Sequence, residues 1–332
     1  MENLLSPGDL SCLHKSESQR DGFGPGSQRE YLLVDLREGC PHEMLVDENL
    51  SLWLKGLPCP VLVVAAPGQS RLLSCDVAVT AISDLSAVIA TITEAPITSM
   101  IFVQLLRLVE QLPLEQALVA ESLAYATLQV GGEFRHWLAS RGSISPACSG
   151  SGSPLQMTRM GEHLSLSLNR PENRNAVNIE MRDALVEAFE MACIDDSITR
   201  VTLDGIGQCF SVGGDFREFG QTTDAAVAHW VRSIRMPGYF LARCAEKVTA
   251  HVHGACIGSG IEIPAFSCHL TAARKTFFQL PEIRMGLIPG AGGCVSISRR
   301  IGRQKMAYMA LSARRINADV ALSWGLIDAI ID

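Results

Sequence analysis

Two glutamates in an apolar, glycine-rich stretch are the residues of this chain best suited to acid–base chemistry. Glu262 follows the turn Gly258-Ser259-Gly260, and Glu282 comes 20 residues later, directly after Pro281. A carboxylate that is taken out of water is costly unless it is paired or its raised pKa is used. A lone glutamate of this kind more often lies on a surface turn, but two of them beside turns in apolar sequence indicate a buried acid–base pair.

Backbone N–H groups beside these acids form the second part of the predicted site. The surrounding stretch, 248–293, starts with the β-prone segment 248–252, breaks at Gly254 and ends in the glycine-rich run 289–293. Glycine allows a turn to point its N–H inward and leaves space for a ligand. A helix that begins near Ser259 would also turn its positive end toward that space. Such donors suit a reaction in which negative charge develops on an oxygen atom.

Further motifs occur in an order that is typical of one family. They are Asn169-Arg170-Pro171 with Asn175-Ala176, the segment FSVGGD at 210–215, His253-Gly254-Ala255 through Glu262, Pro281-Glu282 through Gly293, and ALSWGLID at 321–328. On these motifs the chain resembles the crotonase superfamily, that is, the enoyl-CoA hydratase/isomerase family, over residues 156–332. The resemblance implies an α/β fold with a crotonase-like spiral of ββα turns.

The resemblance also assigns the catalytic groups. It implies that the N–H groups of Gly214 and Ser259 hold the oxygen of a thioester enolate. It places Glu262 and Glu282 at the two positions that are both glutamate in hydratases of the family. There, one carboxylate activates water for attack at C3 while the other delivers or removes the proton at C2. Ser259 stands where glycine is usual, so its hydroxyl group would narrow the pocket or add a hydrogen bond.

Substrate-binding residues follow from the same resemblance. The turn Arg174-Asn175-Ala176 lies where the family wraps the pantetheine and adenosine of coenzyme A. Gly213 and Gly258 flank the two oxyanion donors, and Asp215 is expected to brace the oxyanion loop. Candidates for phosphate contacts, or else for solvated surface cations, are Arg170, Arg174 and Arg217.

These motifs favour an acyl-CoA thioester enzyme, a lyase of fatty acid metabolism that hydrates an α,β-enoyl-CoA to a 3-hydroxyacyl-CoA. One alternative is an enoyl-CoA isomerase or a cofactor-independent dioxygenase of an arylacetyl-CoA, for which Glu121 is the acidic residue to watch, unless it lies on a solvated helix face. Another alternative is a non-catalytic crotonase-fold scaffold, against which the retention of Gly214, Glu262 and Glu282 argues. The resemblance implies a homo-oligomer, either a trimer or a hexamer.

No cofactor is expected apart from the CoA carried by the substrate. The turn at 258–260 lacks the GxGxxG spacing, and the chain has no GxxxxGK[ST] motif, so NAD and ATP are not predicted. His251 and His253 form a weak metal-binding pattern without an evident third ligand, so no metal site is predicted.

Composition indicates the environment. The chain has 332 residues, of which 47% are hydrophobic, a net charge of −7 and no basic run longer than Arg299-Arg300. These values favour neither a nucleic-acid surface nor an anionic membrane surface. No uninterrupted apolar run reaches the roughly 18 residues that a membrane span needs. The 11 cysteines are scattered and odd in number, without a CxxC motif, which favours reduced thiols in the cytoplasm.

Local patterns divide the chain into four parts. Residues 1–28 are polar and rich in Gly and Ser, and are predicted to be a disordered tail. Residues 29–141 are interpreted as a small α/β unit followed by a helical region. Residues 142–155 are predicted to be a linker, and 156–332 the crotonase-like core. The strands of the small α/β unit are predicted at 31–36, 61–66 and 75–82.

The helical region suggests a particular role. Familiar family members continue past the GLID segment into helices that cover the acyl pocket, whereas this chain ends at Asp332. Residues 94–141 resemble those helices, so one hypothesis is that the N-terminal half supplies them. The alternative is an unrelated helical appendage. The first hypothesis requires residues 97–140 to lie close to Glu262.

Overall fold

The N-terminal part is a four-stranded parallel sheet with short helices. The structure, a computed structural model, describes residues 4–15, 22–66, 74–142 and 152–332. The strands lie side by side in chain order and are β1 (Leu4–Leu5), β2 (Leu32–Leu36), β3 (Val61–Ala65) and β4 (Val77–Val79). The helices are α1 (Pro7–Lys15), α2 (His42–Leu45) and α3 (Glu48–Lys55). Every residue of β3 is buried, as is usual when both faces of a parallel sheet are covered.

The predicted disordered tail over residues 1–28 is wrong for the segment 4–15. There β1 pairs in parallel with β2, and α1 buries Leu10 completely in the apolar cluster under this sheet. Polar composition hid the helix because only one narrow side of it is apolar. Residues 1–3 and 16–21 lie outside the described residues, as does 143–151, most of the predicted linker.

Four helices follow the sheet in place of the predicted helical run. They are α4 (Ser86–Glu94), α5 (Pro96–Val109), α6 (Leu114–Gln129) and α7 (Gly132–Ser140). Pro96 opens α5 at its first position, where the missing N–H of proline costs nothing. Among the described residues, no single helix is long and apolar enough to cross a bilayer. One consecutive pair, Ile82–Glu94 and Pro96–Val109, reaches that length only together and bends by 112°.

The C-terminal part winds between two further sheets. The larger has six strands in the order β13-β10-β8-β7-β6-β5, all parallel except the pair β5–β6. Its strands are β5 (Leu155–Met160), β6 (His163–Leu168), β7 (Arg200–Gly205), β8 (Val248–Val252), β10 (His269–Ala273) and β13 (Ala329–Ile331). The smaller sheet contains β9 (Ala255–Ile257), β11 (Phe277–Gln279) and β12 (Ile316–Asn317). Because β9 follows β8 and β11 follows β10, successive turns of chain add one strand to each sheet, which is the predicted ββα spiral.

Helices close each turn of this spiral. They are α8 (Ile179–Ile194), α9 (Ala225–Ile234), α10 (Pro237–Arg243), α11 (Ser259–Glu262), α12 (Gly293–Ile301), α13 (Arg303–Ser312) and α14 (Ala318–Trp324). Asn178 begins α8 and Asn317 begins α14, because each side chain accepts a hydrogen bond from an N–H group three residues on.

One hydrophobic core joins the N-terminal helices to the spiral. Phe102 of α5 and Phe134 of α7 belong to the same buried cluster as Phe189 of α8 and Phe278 of β11. Helix α6 packs on α9 and α12, and α5 packs on α12 and α13. The predicted boundary at 142–155 therefore does not separate two cores, and the helical region packs as part of the spiral. This packing agrees with the hypothesis that the N-terminal half supplies helices to the spiral, and not with the alternative of an unrelated helical appendage.

A buried ionic network fastens the N-terminal sheet to this core. Asp76 accepts hydrogen bonds from Arg107 Nε at 2.9 Å, from Arg303 Nη1 at 2.8 Å and from the N–H of Val61 at 2.8 Å. Arg107 also donates to the carbonyl oxygens of Leu57 and Cys59. The carboxylate and both guanidinium groups are almost completely buried. One carboxylate thus links β3, α5 and α13.

Candidate active site

One cavity brings together the four residues that the sequence proposes for catalysis. Gly214, Ser259, Glu262 and Glu282 all line a space of about 420 Å³. This volume lies within the usual range of small-molecule sites. Helices α6 and α9 and the start of α8 form the rest of its wall. The cavity therefore lies between the spiral and the N-terminal helices.

Gly258 sets the distance between the two acids. Its φ of +52° is a conformation that L side chains rarely adopt. A Cβ atom at this position would overlap Glu282 Oε1 and lie 3.8 Å from Glu262 Oε1. A single small volume is therefore faced by both carboxyl groups. The first turn of α11 starts directly after it and presents the N–H of Ser259.

We expect Gly258→Ala to reduce activity at least tenfold, because its methyl group would push Glu282 away from its partner and small displacements of catalytic groups cost large factors. Gly161→Ala is the matched control: its φ is +61°, but nothing lies within 4 Å of the added methyl group. The activity and the thermal unfolding midpoint of both variants should be measured in parallel. Equal activity in the two would show that the close approach at Gly258 has no catalytic consequence.

The loop of Gly214 is held by backbone pairing on both sides. The N–H of Val177 donates to Gly213 O at 2.8 Å, and the N–H of Asp215 donates to Val177 O at 3.1 Å. Asp215 is also ion-paired with Arg217. Among the described residues, the N–H groups of Gly214 and Ser259 donate no hydrogen bond to the protein. Two backbone donors are thus available at the cavity wall, as an oxyanion hole requires.

Glu262 is buried against the N-terminus of α12. Its Oε2 accepts hydrogen bonds from the N–H groups of Ala291 at 2.7 Å and Gly293 at 3.0 Å. Burial raises the pKa of Glu262 to about 7, and the two amides and the charge of Arg232 limit that rise. Glu262 can therefore exchange a proton near neutral pH.

Glu282 is held in a more apolar environment. Burial, followed by the nearby charge of Glu262, raises the pKa of Glu282 well above its ordinary value. Glu282 Oε2 and Ser259 Oγ are buried and have no hydrogen-bond partner among the described residues. Buried polar atoms without partners are rare in folded proteins, so these two atoms mark a place for a ligand. Burial thus raises the pKa of both acids, so the pair can hold a proton close to neutral pH.

A third glutamate, Glu121 of α6, lies behind Glu262. It is completely buried and accepts hydrogen bonds from the N–H groups of Gly292 at 2.7 Å and Cys294 at 2.9 Å. Glu121 and Glu262 thus bind alternate amides at the start of α12. The interpretation of Glu121 as a solvated helix residue is wrong, and the residue does not line the cavity either. The requirement that residues 97–140 lie close to Glu262 is met through this shared helix end.

Helix α7 supports the oxyanion loop from outside. Arg141 donates to the carbonyl oxygens of Phe216 at 2.7 Å and Phe219 at 3.1 Å, and the Trp137 ring packs on both phenylalanines. The Phe219 ring in turn lies against Gly214. The N-terminal helices therefore help to fix both an acid and an oxyanion donor.

Sequence reasoning missed two residues of the cavity wall. Tyr125 of α6 packs its ring on Gly290, and Arg232 of α9 stacks its guanidinium group 3.8 Å above that ring. Tyr125 showed only helical spacing in the sequence, and Arg232 lies in the amphipathic segment 221–236. No signal in the sequence joins them, because their contact spans 107 residues.

The residues predicted to bind substrate lie around the cavity but do not line it. This holds for Arg174, Asn175, Ala176, Gly213, Asp215 and Gly258. Asn175 is completely buried, accepts from the N–H of Arg170 and donates to the carbonyl oxygens of Ile206 and Cys209. Its side chain therefore holds the loop together and is not free for substrate. Arg170 is also buried: it donates to the carbonyl oxygens of Asn169 and Gly152 and is ion-paired with Glu180. These contacts do not support the predicted phosphate contact.

Comparisons with known proteins agree with this geometry. The sequence model described as enoyl-CoA hydratase/isomerase matches residues 163–332. The chain is 31% identical to the mitochondrial Delta(3,5)-Delta(2,4)-dienoyl-CoA isomerase of Mus musculus over 53% of this chain and 58% of that protein. It is 32% identical to the 2,3-dehydroadipyl-CoA hydratase of Escherichia coli (strain K12) over 54% of this chain and 69% of that protein. The similarity to these curated relatives thus spans about three fifths to two thirds of their length.

Solved structures show the same architecture. An enoyl-CoA hydratase/isomerase from Mycobacterium paratuberculosis aligns with a TM-score of 0.51 and 27% identity over 55% of this chain and 74% of that chain. An enoyl-CoA hydratase from Thermoplasma volcanium GSS1 aligns with a TM-score of 0.50 and 29% identity over 55% of this chain and 73% of that chain. The spiral and its acid-lined cavity define a protein of the crotonase fold, as predicted.

Since the matched sequence model covers half of its length, this chain belongs to the enoyl-CoA hydratase/isomerase family. The family assignment made from the sequence motifs is confirmed.

Proposed function

We propose that this protein adds water across the C2–C3 double bond of an α,β-enoyl-CoA to give a 3-hydroxyacyl-CoA. The observation that carries the proposal is the pair Glu262 and Glu282 on the wall of one cavity, next to the unpaired N–H groups of Gly214 and Ser259. Two acids of unequal pKa suit a reaction that needs one base and one acid at the same time.

In the proposed reaction the ionised Glu262 takes a proton from water as the water oxygen bonds to C3. The electron pair of the C2–C3 double bond moves toward the thioester, and the N–H groups of Gly214 and Ser259 hold the resulting enolate oxygen. The protonated Glu282 then donates its proton to C2, which restores the thioester carbonyl. Transfer of the proton from Glu262 back to Glu282 then restores both acids, so one turnover adds one water molecule to the substrate without a cofactor.

Hydration of crotonyl-CoA is the direct test of this proposal and should show a defined pH profile. We expect kcat/KM to rise about tenfold per pH unit up to about pH 7 and then level off, because only ionised Glu262 can act as the base. A fall at higher pH should follow when Glu282 loses its proton. Loss of the enoyl absorbance reports the reaction. A profile that is flat between pH 5.5 and 8 would contradict the assignment of base and acid.

A second candidate is isomerisation of the double bond. The similarity to the dienoyl-CoA isomerase of Mus musculus favours it, and the same acids could move a proton between two carbons of the enolate without adding water. Product analysis separates the two, since only hydration increases the mass of the thioester by one water. The dioxygenase alternative loses support, because both oxygens of Glu121 are bound to backbone amides.

Two predictions from the sequence stay predictions. One is a cytoplasmic location, and the other is a homotrimer or hexamer. Light scattering of the purified chain tests the second, and a monomeric mass would contradict it.

A further inference from the structure

The cationic side of the cavity, formed by α8 and α9, is not explained by the proposed reaction. Hydration at C2 and C3 uses the acids and the oxyanion donors, yet Arg182, Arg232 and Arg235 also line this space. Arg182 is ion-paired with Asp183, through Nε at 3.0 Å and Nη2 at 2.8 Å. The one glutamate on this side, Glu218, accepts two hydrogen bonds from the N–H of Ile179.

Arg232 forms no direct ion pair within the part of the chain that the structure describes. Among the described residues, no carboxylate oxygen lies within ion-pair distance of its partly buried guanidinium group. Its hydrogen bonds go to neutral groups: 3.5 Å to Gln129 Oε1, 3.3 Å to Ala228 O, and a further one to the Tyr125 side chain. The Tyr125 ring covers one face of the group, but stacking does not neutralise its charge. A partly buried cation with weak donor contacts is a ready site for an anion.

The position of Arg232 identifies which part of the substrate would carry that anion. The Tyr125 ring beneath Arg232 packs on Gly290, and the N–H of the next residue, Ala291, donates to Glu262. Burial raises the pKa of Glu262 and of Glu121, and the charge of Arg232 opposes the rise in both, which also places Arg232 near the acids. The CoA phosphates are separated from the thioester by the whole pantetheine arm. The group that reaches Arg232 must therefore belong to the acyl chain.

A second, smaller cavity of about 190 Å³ adjoins this place. Arg232 and Met236 line both cavities and so stand between them. The remaining wall of the smaller cavity includes Leu118, Ser122 and Tyr239. Arg232 thus lies, partly buried, at the junction of the two cavities.

We propose that the acyl group of the substrate ends in a carboxylate, and that the Arg232 guanidinium group, supported by the Tyr125 ring, receives this carboxylate. The inference rests on the proposed function for the identity of the thioester, and adds the class of acyl chain. A planar guanidinium group binds a carboxylate through two parallel hydrogen bonds, which gives direction as well as affinity. A neutral acyl chain of equal length would offer the guanidinium group no direct ion pair.

Binding of two saturated thioesters of equal chain length tests the inference without turnover. Adipyl-CoA ends in a carboxylate and hexanoyl-CoA ends in a methyl group. By calorimetry, the wild-type protein should bind adipyl-CoA at least tenfold more tightly, and Arg232→Met should remove most of this preference, since hydrogen bonds between charged groups typically contribute 10- to 100-fold. Arg232→Lys should retain part of it. Binding of hexanoyl-CoA by each variant verifies that the cavity has formed.

The matched control is Arg243→Met. Arg243 also lies over a tyrosine, 5.8 Å from the centroid of the Tyr239 ring, but it does not line the main cavity. It should keep the full preference for adipyl-CoA. Equal binding of the two thioesters by the wild-type protein, or an unchanged preference in Arg232→Met, would overturn the inference.

Turnover of the matching six-carbon 2-enoyl thioesters separates this inference from the proposed function. If both thioesters are hydrated without a preference for the carboxylated chain, the proposed hydration reaction is right and the role assigned to Arg232 is wrong. If neither is hydrated but adipyl-CoA still binds preferentially through Arg232, the acyl class is right and the reaction is wrong. Hydration with a preference that Arg232→Met abolishes supports both.

Discussion

Glu282→Gln is expected to lower kcat for hydration of crotonyl-CoA by about 10²- to 10⁴-fold, the usual contribution of a positioned general acid. The amide has nearly the shape of the protonated carboxyl group that the proposed reaction assigns to Glu282. It can fill the same buried space, but it has no proton to donate to C2. Because Glu282 is buried with a strongly raised pKa, the substitution should not reduce the free energy of unfolding at neutral pH.

Glu218→Gln makes a suitable control for this effect. Glu218 lines the same cavity, but its carboxylate accepts from the N–H of Ile179 at the start of α8, a contact that an amide oxygen can keep. Its activity should stay within about tenfold of the wild type, since the proposed reaction assigns Glu218 no proton transfer. Stopped assays at matched concentration, with melting curves for both variants, provide the comparison. Near-normal hydration by Glu282→Gln would remove Glu282 from the mechanism.

Much of the spiral could be predicted because its signals are local. The β-prone segment 248–252 became β8 without change, and the start of α14 at Ala318 is fixed by the Asn317 side chain. The positions of Glu262 and Glu282 follow from turns that only glycine or proline allows, such as Gly258 with its φ of +52°. Where the site requires a backbone conformation that few residue types can adopt, the residue type itself indicates that conformation in the sequence.

The substrate side of the site could not be predicted, because it is assembled from distant segments. Glu121, Tyr125 and Arg232 reach the acids only when α6 packs on α9 and α12. Asn175 illustrates a different case: its family motif places it in the turn predicted to wrap coenzyme A, and its side-chain amide forms backbone hydrogen bonds inside that loop. A motif indicates which residue is required at a position, and geometry decides whether it is required for binding or for the fold.

The N-terminal helices matter for activity because they fix both sides of the site. Helix α6 supplies Glu121 to the same helix end that orients Glu262, and α7 supplies Arg141 to the loop of Gly214. The stability of these helices therefore depends on how they are attached to the rest of the chain. Helix α5 is the attachment, since it packs on α12 and α13 and carries Arg107 toward the N-terminal sheet.

Asp76→Ala is accordingly expected to reduce the free energy of unfolding by about 3–5 kcal/mol, because it removes the carboxylate shared by the buried Arg107 and Arg303. Asp35→Ala is the control, since its ion pair with Arg37 lies at the surface and should contribute less than about 1 kcal/mol. Urea denaturation of both variants measures the difference.

The physical cause can be separated from simple loss of packing by one further variant. We attribute the expected cost of Asp76→Ala to weaker charge compensation of the buried Arg107 and Arg303, of which Arg303 keeps its ion pair with Glu110. In that case, replacing Asp76 by Leu together with Arg107→Met and Arg303→Met should recover most of the lost stability, since apolar side chains of similar volume often replace a buried ion cluster without penalty. The activity of Asp76→Ala should also fall at a lower temperature than that of the wild type, because α5 would pack less firmly on α12. Equal unfolding midpoints for Asp76→Ala and Asp35→Ala would show that the buried network does not stabilise the fold. The apolar core alone would then have to keep the N-terminal helices in place at the site.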